Sequence, residues 1–128
     1  MESKHVTLDK IKSVADILNK NNINYIIGAS SALLVHGLDV LPNDLDIIVD
    51  TNDLNKTITI LERYNYEIHT FPINADEVCV INVDGIKVKV NNLESEYKYY
   101  LKRKGESEKV DTRINMIEEK LSIKNKNE

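Results

Sequence analysis

Two periods of apolar residues alternate along this chain, and the switches between them predict its elements. Ile11, Val14, Ala15 and Leu18 recur at helical spacing and give a first helix one buried stripe. Thr7 is placed to cap that helix, Asp9 complements the positive end of its dipole, and Asn21 and Asn22 end it. Ile23 to Ile27 reads as a short buried strand, Gly28 to Ser31 as a small-residue turn, and Ala32 to His36 as a short helix ended by Gly37. A loop containing Pro42 leads to a second strand, Leu45 to Val49, in which Asp44 and Asp46 alternate with apolar neighbours. Asn52 or Asp53 caps a third helix with Leu54, Ile58 and Leu61 on its buried face, and Tyr66 to Phe71 is an extended segment before Pro72. Val78 to Val83 and Ile86 to Val90 flank Asp84-Gly85, a pair suited to a type I′ hairpin turn. The last third is helical. One stretch runs from Leu93 to about Lys104 and stops at Gly105; Val110, Ile114, Ile117 and Leu121 then form a stripe, and the final KNKNE is expected to fray.

This order predicts an α/β (α+β) fold: a mixed sheet that includes a hairpin, helices packed against it, and a helical C-terminus. At 128 residues one domain is expected, with its core over about residues 7–92 and C-terminal helices over about 93–123. The apolar share of 41% and charged share of 30% fit a globular chain and exclude extensive disorder. No apolar run approaches the roughly 18 residues a membrane span needs, and MESKHVTLDK lacks the apolar centre of a signal peptide. Cys79 is the only cysteine and cannot form an internal disulfide, so a cytoplasmic setting is expected. A net charge of −4 argues against a broad nucleic-acid footprint. The cluster of Tyr97, Tyr99, Tyr100, Lys102, Arg103 and Lys104 mixes rings with cations, but flanking glutamates dilute it. It reads better as an amphipathic helix with its rings packed inward. The Val110 stripe reads as core, or as a dimer or partner-protein seam if it exceeds what the core can cover.

Chemistry concentrates between Tyr25 and Asp50. Gly28 after a buried strand lets the backbone turn tightly and approach a ligand, while Ala29, Ser30 and Ser31 add two hydroxyls and little bulk. The helix that follows offers free N–H groups to phosphate oxygens. Asp44 and Asp46, two apart on a strand, project from one face. Neighbouring carboxylates repel one another unless a cation lies between them, and a hard ion such as Mg²⁺ takes such oxygen ligands. Taken alone, an Asp-x-Asp pair is more often a pair of solvated strand residues. Likewise His36 reads as a helix-end residue, Asp50 as a cap for the next helix, and Cys79 as core.

The stretch Ile27-Gly28-Ala29-Ser30 followed by Asn43-Asp44-Leu45-Asp46-Ile47-Ile48-Val49 resembles the signature of the polymerase-β-like nucleotidyltransferase superfamily. His36 to Asp50 is especially similar to its small stand-alone members, and Lys109 to Ile114 is similar to a segment that opens a C-terminal helix in several relatives. The resemblance implies the nucleotidyltransferase fold and transfer of NMP from a nucleoside triphosphate, ATP first, to a hydroxyl on a small molecule, protein or RNA. It assigns Mg²⁺ to Asp44 and Asp46 and the triphosphate to Gly28, Ala29, Ser30 and Ser31. It also implies a third acid on a later strand.

Order and context align that third acid with Lys89 in Gly85-Ile86-Lys87-Val88-Lys89-Val90. A slip of two residues would bring Lys87 or Asn91 there, neither a carboxylate, and Glu94 could reach back only from a bent strand end. An ammonium about 4 Å from a carboxylate interacts by about 4 kcal/mol at an effective dielectric of about 20, enough to compete with Mg²⁺. The alternative to an active transferase is therefore a catalytically impaired nucleotide-binding or protein-interaction module with Lys89 at the metal position. A third reading, a toxin–antitoxin or stress component acting through a partner protein, follows only from how small relatives are paired.

Overall fold

The structure is a computed structural model, and it describes residues 5–62, 64, 66–70 and 73–126. Phe71 and Pro72, which bound the predicted extended segment, lie outside the described residues, as does the end of the predicted fraying tail.

Thr7 caps α1 (Leu8–Lys20) by accepting the Lys10 N–H at 3.2 Å. The whole predicted stripe, Ile11, Val14, Ala15 and Leu18, is sealed from solvent. Thr7→Ala is expected to lower stability by about 1 kcal/mol, read as a lower urea midpoint at an unchanged slope. Asn21 ends the helix and Asn22 turns the chain in a left-handed conformation, φ 55°. The chain then runs through β1 (Tyr25–Gly28), α2 (Ala29–Val35), β2 (Asp46–Val49), α3 (Leu54–Ile60), β3 (Glu67–Thr70), β4 (Val78–Val83), β5 (Ile86–Asn91), α4 (Leu93–Leu101) and α5 (Glu108–Lys126).

The sheet order is β3-β2-β1-β5-β4. β1 pairs antiparallel with β2 and parallel with β5, β2 pairs parallel with β3, and the β4–β5 hairpin closes the other edge. This is the expected mixed α+β sheet. Alternation along the strands gives it two faces. Tyr25, Ile27, Ile47, Val49, Val88 and Val90 are fully buried in one core with α1. Gly28, Asp46, Ile48, Lys89 and Asn91 point to the opposite face. A second core joins Leu33, Leu38 and Val40 to Leu93, Tyr100, Val110, Ile114 and Ile117. The Val110 stripe is thus used inside the chain, in that second core.

Four local expectations change. No separate turn precedes α2: Gly28 is extended, Ala29 is left-handed at φ 54°, and the helix starts at once. β2 begins at Asp46, leaving Asp44 in the preceding bend. On α3, Ile58 faces solvent and Thr57 is buried instead, its hydroxyl donating to the Asp53 carbonyl at 2.7 Å. α4 stops at Leu101, before the left-handed Gly105. Among the described residues no helix is long and apolar enough to cross a membrane.

Candidate functional site

Strand register builds the site. Gly28 lies opposite Asp46, and Asp46 opposite Glu67. The Ile27–Val90 pairing sets Asn91 beside Gly28. One row thus crosses the sheet as Glu67, Asp46, Gly28, Asn91. Glycine keeps the middle of that row open: a Cβ at Gly28 would lie 3.3 Å from Ile48 Cδ1 and 3.7 Å from Asn91 Nδ2. The left-handed Ala29 that follows costs roughly 1–2 kcal/mol for a residue with a Cβ, strain of the kind that gathers at functional sites.

Asp46, Gly28 and Asn91 of that row form the floor of a cleft of about 510 Å³, a size suited to a small ligand. Gly28, Ala29, Asp46 and Asn91 line it from the sheet side, with His69 of β3. Ser95, Glu96, Lys98 and Tyr99 of α4, with Lys102 just past its end, line it from the other side. The sheet side carries Asp46, and the other side carries two lysines and a tyrosine ring beside the buried Glu96.

His69 Nε2 lies 3.4 Å from Asp46 Oδ1. Single ligand atoms of Asp46, Glu67 and His69 fall within 4.8 Å of one another. The Asp46 carboxyl is pushed above the usual range, chiefly by burial. The His69 hydrogen bond works against that rise, and the nearby Glu67 and Asp44 charges add to it. Such a carboxylate gains from a cation.

Glu96, on α4, is the second titratable anchor. It is 2% exposed and, among the described residues, the only buried charged side chain. Its Oε2 accepts the Asn91 Nδ2–H at 2.8 Å, while Oε1 is buried with no partner in hydrogen-bonding geometry. Burial pushes its carboxyl up to about 7; the Asn91 amide and the nearby Ala29 N–H oppose the rise, and Asp46 adds to it. His36 Nε2 meets the Asn91 carbonyl at 2.8 Å, so this imidazole braces the end of β5.

Several residues named from the sequence sit differently. Ser31 is fully buried and donates to the Asp44 carbonyl at 3.0 Å, so its hydroxyl ties α2 to the loop before β2. Ser30 is also buried, and of the small-residue run only Gly28 and Ala29 line the cleft. Lys89 does not line it. It lies two residues before Asn91, its N–H donates to the Tyr25 hydroxyl at 3.3 Å, and its ammonium stands 5.6 Å from the Tyr25 ring centre. The β5 residue beside Gly28 is therefore Asn91, two past Lys89 and not a carboxylate, while the strand on the other side of Asp46 is β3, which sets Glu67 next to it. Lys89→Ala is expected to change Mg·ATP affinity less than about twofold, measured by calorimetry, since a cation–π contact of this kind is worth about 0.5–1 kcal/mol to the fold and nothing to the cleft.

Sequence reasoning missed Glu67, His69 and Glu96. Glu67 and His69 alternate on one strand face, the same signal that singled out Asp44 and Asp46. Glu96 sits in the helical stripe between Leu93 and Tyr100, where an acid is out of place.

No family model and no curated protein matches this sequence. Solved structures do match. An antigenic nucleotidyltransferase-like protein from Paracoccidioides brasiliensis is 19% identical, with a TM-score of 0.67 over 93% of this chain and 78% of its own. The lincosamide antibiotic adenylyltransferase LnuA, bound to lincomycin, is 14% identical, with a TM-score of 0.69 over 89% of this chain and 98% of its own. ANT(2″)-Ia in complex with adenylyl-2″-tobramycin is 14% identical, with a TM-score of 0.60 over 88% of this chain and 86% of its own. The chain has the nucleotidyltransferase fold.

Proposed function

We propose that this chain transfers a nucleoside monophosphate, AMP from ATP in the first instance, to a hydroxyl of a small acceptor with the aid of Mg²⁺. The observation that carries the reading is Asp46 beside Gly28 on the floor of a cleft whose far side bears Lys98 and Lys102, with Glu67 next to Asp46 on the neighbouring strand. A small acceptor is favoured by the fold neighbours, one bound to lincomycin and one to an adenylylated tobramycin.

The residues fit a hard divalent ion. Asp46 and Glu67 offer carboxylate oxygens, His69 offers a nitrogen within the same 4.8 Å, and the half-buried Asp44 adds its charge from the bend. Bound there, Mg²⁺ would acidify the acceptor hydroxyl and offset charge on the phosphates. The chain's own groups do the rest. Gly28 and Ala29 let phosphate oxygens approach the backbone, which a larger side chain at 28 would prevent. Lys98 and Lys102 draw the triphosphate in, and the exposed Tyr99 ring offers a face for the base.

A second reading, nucleotide binding without transfer, is favoured by one observation: the β5 position beside Gly28 carries the amide of Asn91 in place of an acid. One experiment separates the two. The chain is incubated with Mg²⁺ and ATP labelled at either the α- or the γ-phosphate, together with a panel of aminoglycosides and lincosamides. Transfer predicts α-label in the acceptor and γ-label in pyrophosphate. Tight Mg·ATP binding with no pyrophosphate release across acceptors would leave only the second reading, and no nucleotide binding would overturn both.

A further inference from the structure

His69 gives the cluster around Asp46 something that its acids do not, a nitrogen ligand. Asp46 stands opposite Glu67 on β3 and one diagonal step from His69, which pairs with Ile48. Strand alternation therefore sets all three side chains on one face of the sheet. His69 Nε2 is 3.4 Å from Asp46 Oδ1, and one ligand atom of each residue lies within 4.8 Å of the others. Metal–ligand bonds of about 2.1 Å keep the ligands of one ion within roughly 4 Å of each other, so the exposed Glu67 and His69 side chains need to close by only about 1 Å. Asp46, with its side chain 18% exposed, is the fixed point of the three. Four acids bear on this spot. Asp44 and Glu67 repel Asp46, and so does Glu96 from α4, which is 2% exposed and has one unpartnered oxygen. One imidazole offsets little of that charge, whereas a divalent cation offsets much of it.

We propose that Asp46, Glu67 and His69 form a site for a first-row transition-metal ion, of the Co²⁺ or Zn²⁺ kind, in preference to Mg²⁺. The preference follows from ligand chemistry. Mg²⁺ is hard, asks for oxygen in near-ideal octahedral geometry and gives up its waters reluctantly. Imidazole nitrogen suits the later ions of the row, whose affinity for sites of nitrogen and oxygen rises from Mn²⁺ towards Cu²⁺. The two carboxylates alone hold Mg²⁺ weakly, and the imidazole adds little for it. Three protein ligands leave the remaining positions of the ion open to water or to a ligand in the cleft. The inference names the metal of the site proposed above, and the binding it describes requires no nucleotide.

The full chain, free of nucleotide and held at one pH, is titrated with Co²⁺ and with Mg²⁺ by calorimetry. Co²⁺ should bind one-to-one and about tenfold or more tighter than Mg²⁺, with a visible absorption band that Zn²⁺ removes by displacement. His69→Ala should weaken Co²⁺ binding by about tenfold or more and leave Mg²⁺ binding nearly unchanged. His69→Asp, which makes the trio three carboxylates, should strengthen Mg²⁺ binding and narrow the gap between the two ions. Both substitutions fall on an exposed position of an edge strand, so the melting curve should stay close to that of the wild type. Equal affinity of the wild type for the two ions overturns the proposal, as does a Co²⁺ affinity that His69→Ala leaves unchanged. Co²⁺ held through His69 in a chain that transfers no nucleotide with any of these ions leaves the metal site standing and removes the transfer reading. Transfer with Mg²⁺ by a chain that shows no preference for Co²⁺ does the reverse.

Discussion

Asp46→Asn is expected to abolish nucleotidyl transfer, lowering kcat/KM by roughly a thousandfold or more, about 4 kcal/mol of transition-state stabilisation. Asp46 is central to the acidic wall: Gly28 is on one side of it, Glu67 on the other, and His69 Nε2 is 3.4 Å from its Oδ1. An amide keeps the size but loses the charge that a divalent ion requires. The fold should not suffer. Burial and the Glu67 and Asp44 charges already disfavour the ionised carboxyl, so neutral asparagine relieves a repulsion. Steady-state rates and a melting curve on the same preparation check this. A variant that melts at or above the wild-type temperature and still transfers at more than about a tenth of its rate would remove Asp46 from the mechanism.

Glu96→Gln is expected to stabilise the chain by about 3 kcal/mol at pH 8 and by very little near pH 4. In the unfolded chain this carboxyl loses its proton near its ordinary 4.5; in the folded one it keeps it until about 7. Between those values the folded state holds more protons, so stability falls as pH rises through the window and stays low above it. Glutamine carries no charge to bury and can still accept from the Asn91 amide. Urea unfolding of both proteins at pH 4, 6 and 8 reads the difference directly. A gap that is constant with pH would mean that Glu96 loses its proton in the folded chain as readily as in the unfolded one. A buried acid that lowers stability at neutral pH, where a glutamine would fit, is what a site retained for function looks like.

The parts of the fold legible in the sequence are those with a strong local pattern. The α1 stripe, β1, β2 and the Asp84-Gly85 hairpin each carry a period or a turn pair that has one good structural solution, and Gly28 and Asp46 stood out for the same reason. β3 does not have such a pattern. Glu67-Ile68-His69-Thr70 is four residues on a sheet edge and largely exposed, with no apolar alternation to mark its importance. Without β3 beside β2, the acid expected on a later strand falls by order on β5, where the residue is a lysine. Period gives the face on which a residue lies but not the strand beside it, and that pairing is settled only by packing. Glu96 was hidden for a different reason. Among Glu94, Glu106 and Glu108 it reads as one more surface charge, and only the packing of α4 onto the second core turns it inward.

The Asp84-Gly85 turn, at the end of the hairpin away from the cleft, acts as a ruler for the active row. Its left-handed pair, φ 51° and 90°, starts a ladder that pairs Val83 with Ile86 and ends with Val78 against Asn91. Measured from that turn, every odd step along β5 faces the core and every even step the opposite side of the sheet, where the sixth, Asn91, reaches the cleft. One residue inserted between Gly85 and Asn91 would offer the cleft Val90 and press an amide into the apolar core. The length of the hairpin is therefore a functional dimension of the molecule, although neither residue of its turn lines the cleft.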